Sequence, residues 1–226
     1  MKGMDPGQAK RTLNEQFARI GKVVAHPKRI ELLDLLAQSE RSVDSLATAT
    51  SMTVSNTSAQ LQVLRQARLV ESRKAGTYVL YRISGDDVVA FVDQLRGLAA
   101  ARLAEVTEVT RDYFDARDEL EPVSRDELTR LARSRAVVVV DVRPHSEYTA
   151  GHIPRAVSIP LDELEAHVNE LPVDADIVAY CRGPYCVLAV EAVALLRQRG
   201  RRARRLADGL PEWRSAGLPV AISSTG

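Results

Sequence analysis

A chain of 226 residues, 45% hydrophobic and 27% charged, can hold two domains of about 100 residues, each with an ordinary core. No run of about 18 apolar residues occurs and the opening MKGMDPGQAKRTLNEQF has no apolar signal core, so a membrane span is excluded and the cytoplasm is the expected location. The net charge of +1 is unevenly spread: residues 10–82 hold twelve Lys or Arg against six Asp or Glu, residues 83–120 four against nine, and residues 121–226 fourteen of each. A basic block followed by an acidic one suits a module that faces phosphate and is backed by a solvated helix.

In chain order, residues 1–9 carry Gly and Pro and are expected to lack order. Leu13, Phe17, Ile20 and Val24 then recur at helical spacing over 10–25. His26-Pro27 breaks that helix, and Pro27 suits the first turn of the next, with Ile30, Leu33, Leu35 and Leu36 toward a core. A short helix is expected at 44–50 after Ser42, then a turn at 51–53 and a helix at 54–67. Thr57, Leu61 and Leu64 share one face of this last helix, while Ser55, Asn56, Ser58, Ala59 and Gln62 fall largely on the other. LVESRKAGTYVLYRI reads as a hairpin around Lys74-Ala75-Gly76. One long helix is expected over 86–117, with Val88, Val89, Val92, Leu95, Leu98 and Leu103 in periodic positions; its length suits dimerisation.

Glu121-Pro122-Val123-Ser124 reads as the linker. Beyond it the texture alternates: a helix near 125–134, the strand AVVVVDV with no polar interruption, a Pro/Gly-containing loop, a helix near 161–171, the strand DIVAY, a helix at 187–199 and a short strand near 202–206. Uninterrupted apolar strands between helices point to an α/β domain with a parallel sheet. The run RRARR at 201–205 reads as the solvated edge of a strand rather than a DNA contact.

Helices ending in one with a polar face, followed by a hairpin, give the layout of a winged helix-turn-helix. A helix fits the major groove, where Asn56 and Gln62 can hydrogen-bond adenine and Ser55 and Ser58 can hold a phosphate or base, with Ala59 between them. Arg73 and Lys74 lie near the hairpin tip, where a wing meets phosphates or the minor groove. The segments AHPKRIELLDLLAQSE, SVDSLATATSMTVSNTSAQLQVLRQARLV and SRKAGTYVLYRIS, within residues 20–83, resemble the ArsR-type regulators. The resemblance implies a homodimer that binds an inverted repeat in double-stranded DNA and usually represses until an effector arrives. Many such proteins sense metals through Cys, or through His and acidic groups; here the N-terminal half has no Cys and only His26, so no metal or cofactor is expected.

The two cysteines of the chain, Cys181 and Cys186, lie in one loop, CRGPYC, between DIVAY and a helix. Backbone N–H groups there, with a helix N-terminus behind them and Arg182 beside them, are expected to depress the Cys181 pKa and favour its thiolate. DVRPHSEYTAGHIPRAVSIP at 141–160, Cys181 after its strand and DGLPEWRSAG at 208–217 together resemble a single rhodanese domain. The resemblance implies that Cys181 accepts a sulfane sulfur as a persulfide, with the loop Cys181, Arg182, Gly183, Pro184, Tyr185 and Cys186 forming the site; Asp141, Arg143 and His152 read as structural support. The loop departs from the commoner pattern: Pro184 replaces a Gly and removes an N–H, Cys186 replaces an Arg or Ser, and Val187 replaces a hydroxyl. A second thiol can resolve a persulfide or sulfenic acid on the first, giving a disulfide or polysulfide bridge.

The sequence thus describes a mainly α winged helix-turn-helix domain over 10–118 and an α/β rhodanese-like domain with a parallel central sheet over 122–222. Three functions fit: a transcriptional regulator, expected to be a repressor, that senses sulfane sulfur or oxidant through Cys181; a sulfurtransferase enzyme; and an inactive rhodanese fold serving as an interaction module. The expected partners are double-stranded DNA, a second copy of the chain, and a small sulfur donor or thiol acceptor.

Overall fold

The computed structural model describes residues 5–115, 121–134 and 137–223, and the chain divides into two compact units, Met1–Val92 and Asp93–Gly226. In the first, α1 (Pro6–Val24) is capped by Asp5, whose carboxylate accepts from the Gln8 N–H at 3.1 Å, with Pro6 preset for the first turn. The helix therefore begins inside the stretch expected to lack order. Helix α2 (Pro27–Gln38) follows, and then a strand with no sequence signal, β1 (Arg41–Ser42). Ser42 also caps α3 (Val43–Thr50), accepting from Ser45 N–H at 3.1 Å, and Ser51 closes that helix in the left-handed region at φ 53°.

Thr53 then caps α4 (Val54–Gln66), accepting from Asn56 N–H at 3.2 Å. Strands β2 (Val70–Ala75) and β3 (Tyr78–Ile83) form the hairpin, with Gly76 at φ 61° in its turn. Strand β1 pairs with β3, making an antiparallel sheet of order β1-β3-β2. The interior is aliphatic: Leu32, Leu46, Leu61 and Leu64 have no exposure, and each such side chain contributes roughly 1.5–3 kcal/mol. Leu13 and Phe17 stand on the expected period but are 55% and 67% exposed.

The expected helix 86–117 is interrupted. Helix α5 (Asp86–Arg102) ends at Leu103, whose backbone is extended (φ −109°, ψ 111°), and α6 (Ala104–Val109) and a π-helical turn (Thr110–Asp115) follow. Residues 116–117 lie outside the described residues. Val88, Val89 and Val92 are buried, whereas Leu98, Leu103 and Val109 are exposed. No Gly or Pro marks the break; it sets the chain so that Phe114 is buried in the second unit.

In that unit, β5 (Val157–Ser158), β4 (Val137–Asp141), β6 (Asp176–Tyr180) and β7 (Arg202–Arg205) form a parallel sheet in the order β5-β4-β6-β7. Val140, Ile177, Ala179 and Ala203 face a core shared with Leu164, Val168 and α10 (Val187–Gln198). Val139, Val178 and Tyr180 face Leu128 of α7 (Arg125–Ser134) and Trp213 of α11 (Leu210–Ser215). The Pro/Gly-containing loop expected after the first apolar strand contains α8 (His145–Ala150), and the helix expected near 161–171 is only α9 (Leu164–His167) and a 3-10 turn (Val168–Glu170).

Two further expectations are corrected. The expected linker is part of the fold: Val123 has no exposure, its N–H donates to Arg205 O at 2.9 Å, and its carbonyl accepts from Ala207 N–H at 2.9 Å. In RRARR, Arg201 and Arg205 are buried; Arg201 donates to Val168 O at 2.9 Å, and the Arg205 guanidinium lies 6.0 Å from the Phe114 ring centroid. Long aliphatic stems let these side chains cross apolar surface to reach a partner.

Candidate functional site

On α4, Thr57, Leu61 and Leu64 are buried, Ser55, Asn56, Ala59 and Gln62 are exposed, and Ser58 is half-buried. The helical period thus brings the expected reading residues onto one outer face. Asn56 is engaged locally, its side-chain oxygen accepting from Gln60 at 3.2 Å. On the wing, Lys74 is exposed, while Arg73 is held by a two-pronged ion pair with Glu40. Arg65, which the sequence pattern did not single out, donates from α4 to Ser72 Oγ on β2 at 3.1 Å and ties the helix to the wing.

The second cluster grows from the end of β6. Strand alternation sends every second side chain to one face, so Cys181 continues the row of Ile177 and Ala179 toward α10. It is only 2% exposed. Its thiol donates to Cys186 O at 3.5 Å, with Gly183 O at 3.9 Å. Cys186 is the N-cap residue of α10 and partly exposed. Burial pushes the Cys181 thiol well above its usual range, overturning the expected low pKa there. The lowered thiol is Cys186: interaction with the neighbouring Cys181 side chain favours its charge most, against the cost of burial, and the backbone at Arg182 and Leu188 and the Arg182 charge add to the drop.

Arg182 is not free to hold an anion. Its guanidinium pairs with the fully buried Glu147 of α8, Nη2 at 2.7 Å and Nε at 3.0 Å from the same carboxylate. A buried glutamate leaves no trace in a sequence pattern, so this partner was missed. Behind the loop, Gly209 meets Gly183 so closely that a Cβ at 209 would lie 2.3 Å from Gly183 N. Glu212 accepts from Gly209 N–H at 2.8 Å and flanks Gly183. Burial pushes the Glu212 carboxyl up to about 7, and the nearby Asp93 and Asp208 carboxylates add to the rise.

On the loop's other side, the Phe114 ring sits edge-on to Tyr185, centroids 6.3 Å apart, and to Tyr113 at 5.2 Å. The Tyr113 hydroxyl donates to Glu191 of α10 at 3.2 Å.

Asp141 and Arg143 form a pair with no exposure at 2.5 Å. Tyr180 donates to Asp141 at 2.5 Å, and Arg143 donates to Gly151 O at 2.8 Å. His152 is buried, bonded through Nδ1 to Tyr148 O at 2.9 Å and stacked on the Tyr148 ring. Among the described residues, no three His, Cys, Asp or Glu side chains converge as a metal site, and no helix is long and apolar enough to cross a membrane.

Comparison with known proteins agrees with both halves. The bacterial regulatory protein, arsR family, matches residues 26–72, and the rhodanese-like domain matches residues 124–216. The chain is 47% identical over 211 residues to the HTH-type transcriptional regulator Rv0324 of Mycobacterium tuberculosis, a match covering 93% of this chain and 92% of that protein. Its rhodanese half is 36% identical over 92 residues to a sulfurtransferase of Allochromatium vinosum, covering 40% of this chain and 84% of that one. A solved homodimeric winged helix-turn-helix DNA-binding domain from Mycobacterium bovis is 43% identical, with a TM-score of 0.41, covering 46% of this chain and 94% of that one. The chain belongs to the ArsR-type transcriptional regulators, DNA-binding proteins that here carry a fused rhodanese-like domain.

Proposed function

We propose that this regulator senses sulfane sulfur or oxidant through the Cys181–Cys186 loop and converts that event into a change of operator affinity. The observation that carries the reading is that both thiols of the chain stand in one loop, the Cys181 S–H donating to the Cys186 carbonyl at 3.5 Å, while the DNA-binding half has no cysteine. In this reading a homodimer built on residues 10–118 represses from an inverted-repeat operator, and the rhodanese-like domain over 122–222 takes the signal. Exposed Leu13, Phe17, Leu98, Leu103 and Val109 supply apolar surface for the dimer. Ser55, Asn56, Ser58, Ala59 and Gln62 read the major groove and Lys74 meets phosphate, with Arg73 joining it if the Glu40 pair opens. The chain runs from the winged helix through α5 and α6 to Phe114, which packs on Tyr185 of the loop, and this contact is the proposed route of the signal.

Sustained thiosulfate turnover fits the loop less well. Its first cysteine is buried, its arginine is neutralised by Glu147, and Pro184 offers no N–H to an oxyanion.

The test is binding of the full chain to its own upstream DNA, measured on reduced, polysulfide-treated and peroxide-treated protein, with intact mass recorded on the same samples. Affinity is expected to fall as sulfur or oxidation accumulates on the loop. Mass change without any change in affinity would refute the sensor reading, and thiosulfate:cyanide turnover lost in Cys181→Ser would then favour the enzyme.

A further inference from the structure

We infer that the thiol which first meets the sulfur donor is Cys186, and that Cys181, the residue aligned with the usual rhodanese nucleophile, is the resolving thiol beneath it. The inference rests on the sulfur-sensing reading and assigns the order of events within it.

Access and surroundings both favour this order. Cys181 is 2% exposed, lies under α10 and points its S–H at backbone carbonyls. The turn at Gly209-Leu210 closes the loop from behind, with Leu210 N–H donating to Cys181 O at 3.3 Å and no room for a Cβ at Gly209. Cys186 is partly exposed between two outward side chains, Tyr185 at 40% and Val187 at 41%, so a donor arriving from solvent reaches its sulfur first. It caps a twelve-residue helix, whose N-terminal end favours negative charge on its sulfur. Burial keeps the proton on Cys181, whose S–H donates to the Cys186 carbonyl at 3.5 Å, while the surroundings of Cys186 favour negative charge there.

The chemistry follows from that asymmetry. The Cys186 thiolate attacks the sulfane sulfur of a persulfide or polysulfide, R–S–SH. The donor's S–S bond breaks, RSH leaves with a proton, and Cys186 carries S–SH. Cys181 then attacks the Cys186 Sγ; its proton goes to the departing hydrosulfide, hydrogen sulfide leaves, and a Cys181–Cys186 disulfide remains. Two protein thiols are oxidised by two electrons, and the donor's sulfane sulfur is reduced to sulfide.

The test uses the full-length protein. In the reduced wild type, a short iodoacetamide pulse at pH 7 followed by peptide mapping is expected to label Cys186 faster than Cys181 by on the order of tenfold or more, the difference that one pKa unit makes to thiolate population. With inorganic polysulfide as donor, Cys181→Ala should accumulate an additional sulfur atom on Cys186. Cys186→Ala should take up sulfur about tenfold more slowly or worse than the wild type, which itself ends as the disulfide. Faster labelling of Cys181, or a Cys186→Ala protein that loads at the wild-type rate, would overturn the assignment and leave the sensor reading standing. No sulfur entering the wild type would overturn both. Should either alanine variant fail to fold, the labelling order in the wild type decides by itself.

Discussion

Replacing Phe114 with Ala tests the link between the loop and the regulator. The ring is 5% exposed, edge-on to Tyr113 and Tyr185 and 6.0 Å from the Arg205 guanidinium. Truncating a buried Phe costs about 3–5 kcal/mol. Within that cost, each edge-on ring pair accounts for about 0.5–1.5 kcal/mol, and the cation over the ring for about 0.5–2 kcal/mol. Coupling between two sites in a protein is typically ~1–3 kcal/mol, an affinity ratio of ~5–150-fold. Loss of this one ring thus removes at least as much free energy as the coupling it is proposed to carry.

Fluorescence anisotropy with labelled upstream DNA reads the effect directly. The reduced Phe114→Ala protein should still bind, while the ratio of affinities between reduced and polysulfide-treated protein should collapse toward one. Phe114→Leu keeps the apolar volume without the ring edges and should retain part of the ratio. An unchanged ratio in Phe114→Ala, with intact mass proving that sulfur has been taken up, would refute the proposed route.

Two other perturbations probe the scaffold of the loop. Glu212→Gln keeps the acceptor that caps α11, as either side chain does at this position. A carboxyl raised to about 7 favours the fold when protonated; that contribution is complete below its ordinary value of 4.5 and is lost as pH rises through about 7. The variant should therefore match the wild type near pH 4 and exceed it near pH 8, by on the order of 1–3 kcal/mol, in thermal or urea unfolding; equal stability at both pH values would contradict the assignment. Asp141→Asn strands the fully buried Arg143 charge and should cost about 3–5 kcal/mol. A calorimetric transition of the C-terminal unit within a degree or two of the wild type would show that the pair is not needed.

Much of the fold was legible because its signals are local. Pro27 and Ser42 mark helix starts, and the apolar rows of α2 and α4 carry the helical period. What escaped was decided by contacts distant in sequence. Strand β1 is two residues long and exists only because Arg41 and Ser42 pair with Tyr81 and Leu80. Leu103 breaks a helix without Gly or Pro, and Val123 reads as linker until Arg205 and Ala207 supply its backbone partners.

At the candidate site, the motif located the loop but not its polarity. Strand alternation from Ile177 through Ala179 already aims Cys181 inward, which favours burial of a neutral thiol over the thiolate expected of it. The partner of Arg182 came from Glu147, a buried acid that composition and spacing cannot mark.

The contact of Gly209 with the loop backbone also limits how this site can diversify. With a Cβ at 209 only 2.3 Å from Gly183 N, the inner wall of the loop is main chain against main chain. A longer loop, such as one reshaped to enclose a bulkier oxyanion, has no space to expand inward and must grow toward solvent, past Tyr185 and the Phe114 edge. Enlarging the cradle and preserving the packing of Phe114 on Tyr185 are therefore competing demands on the same few residues.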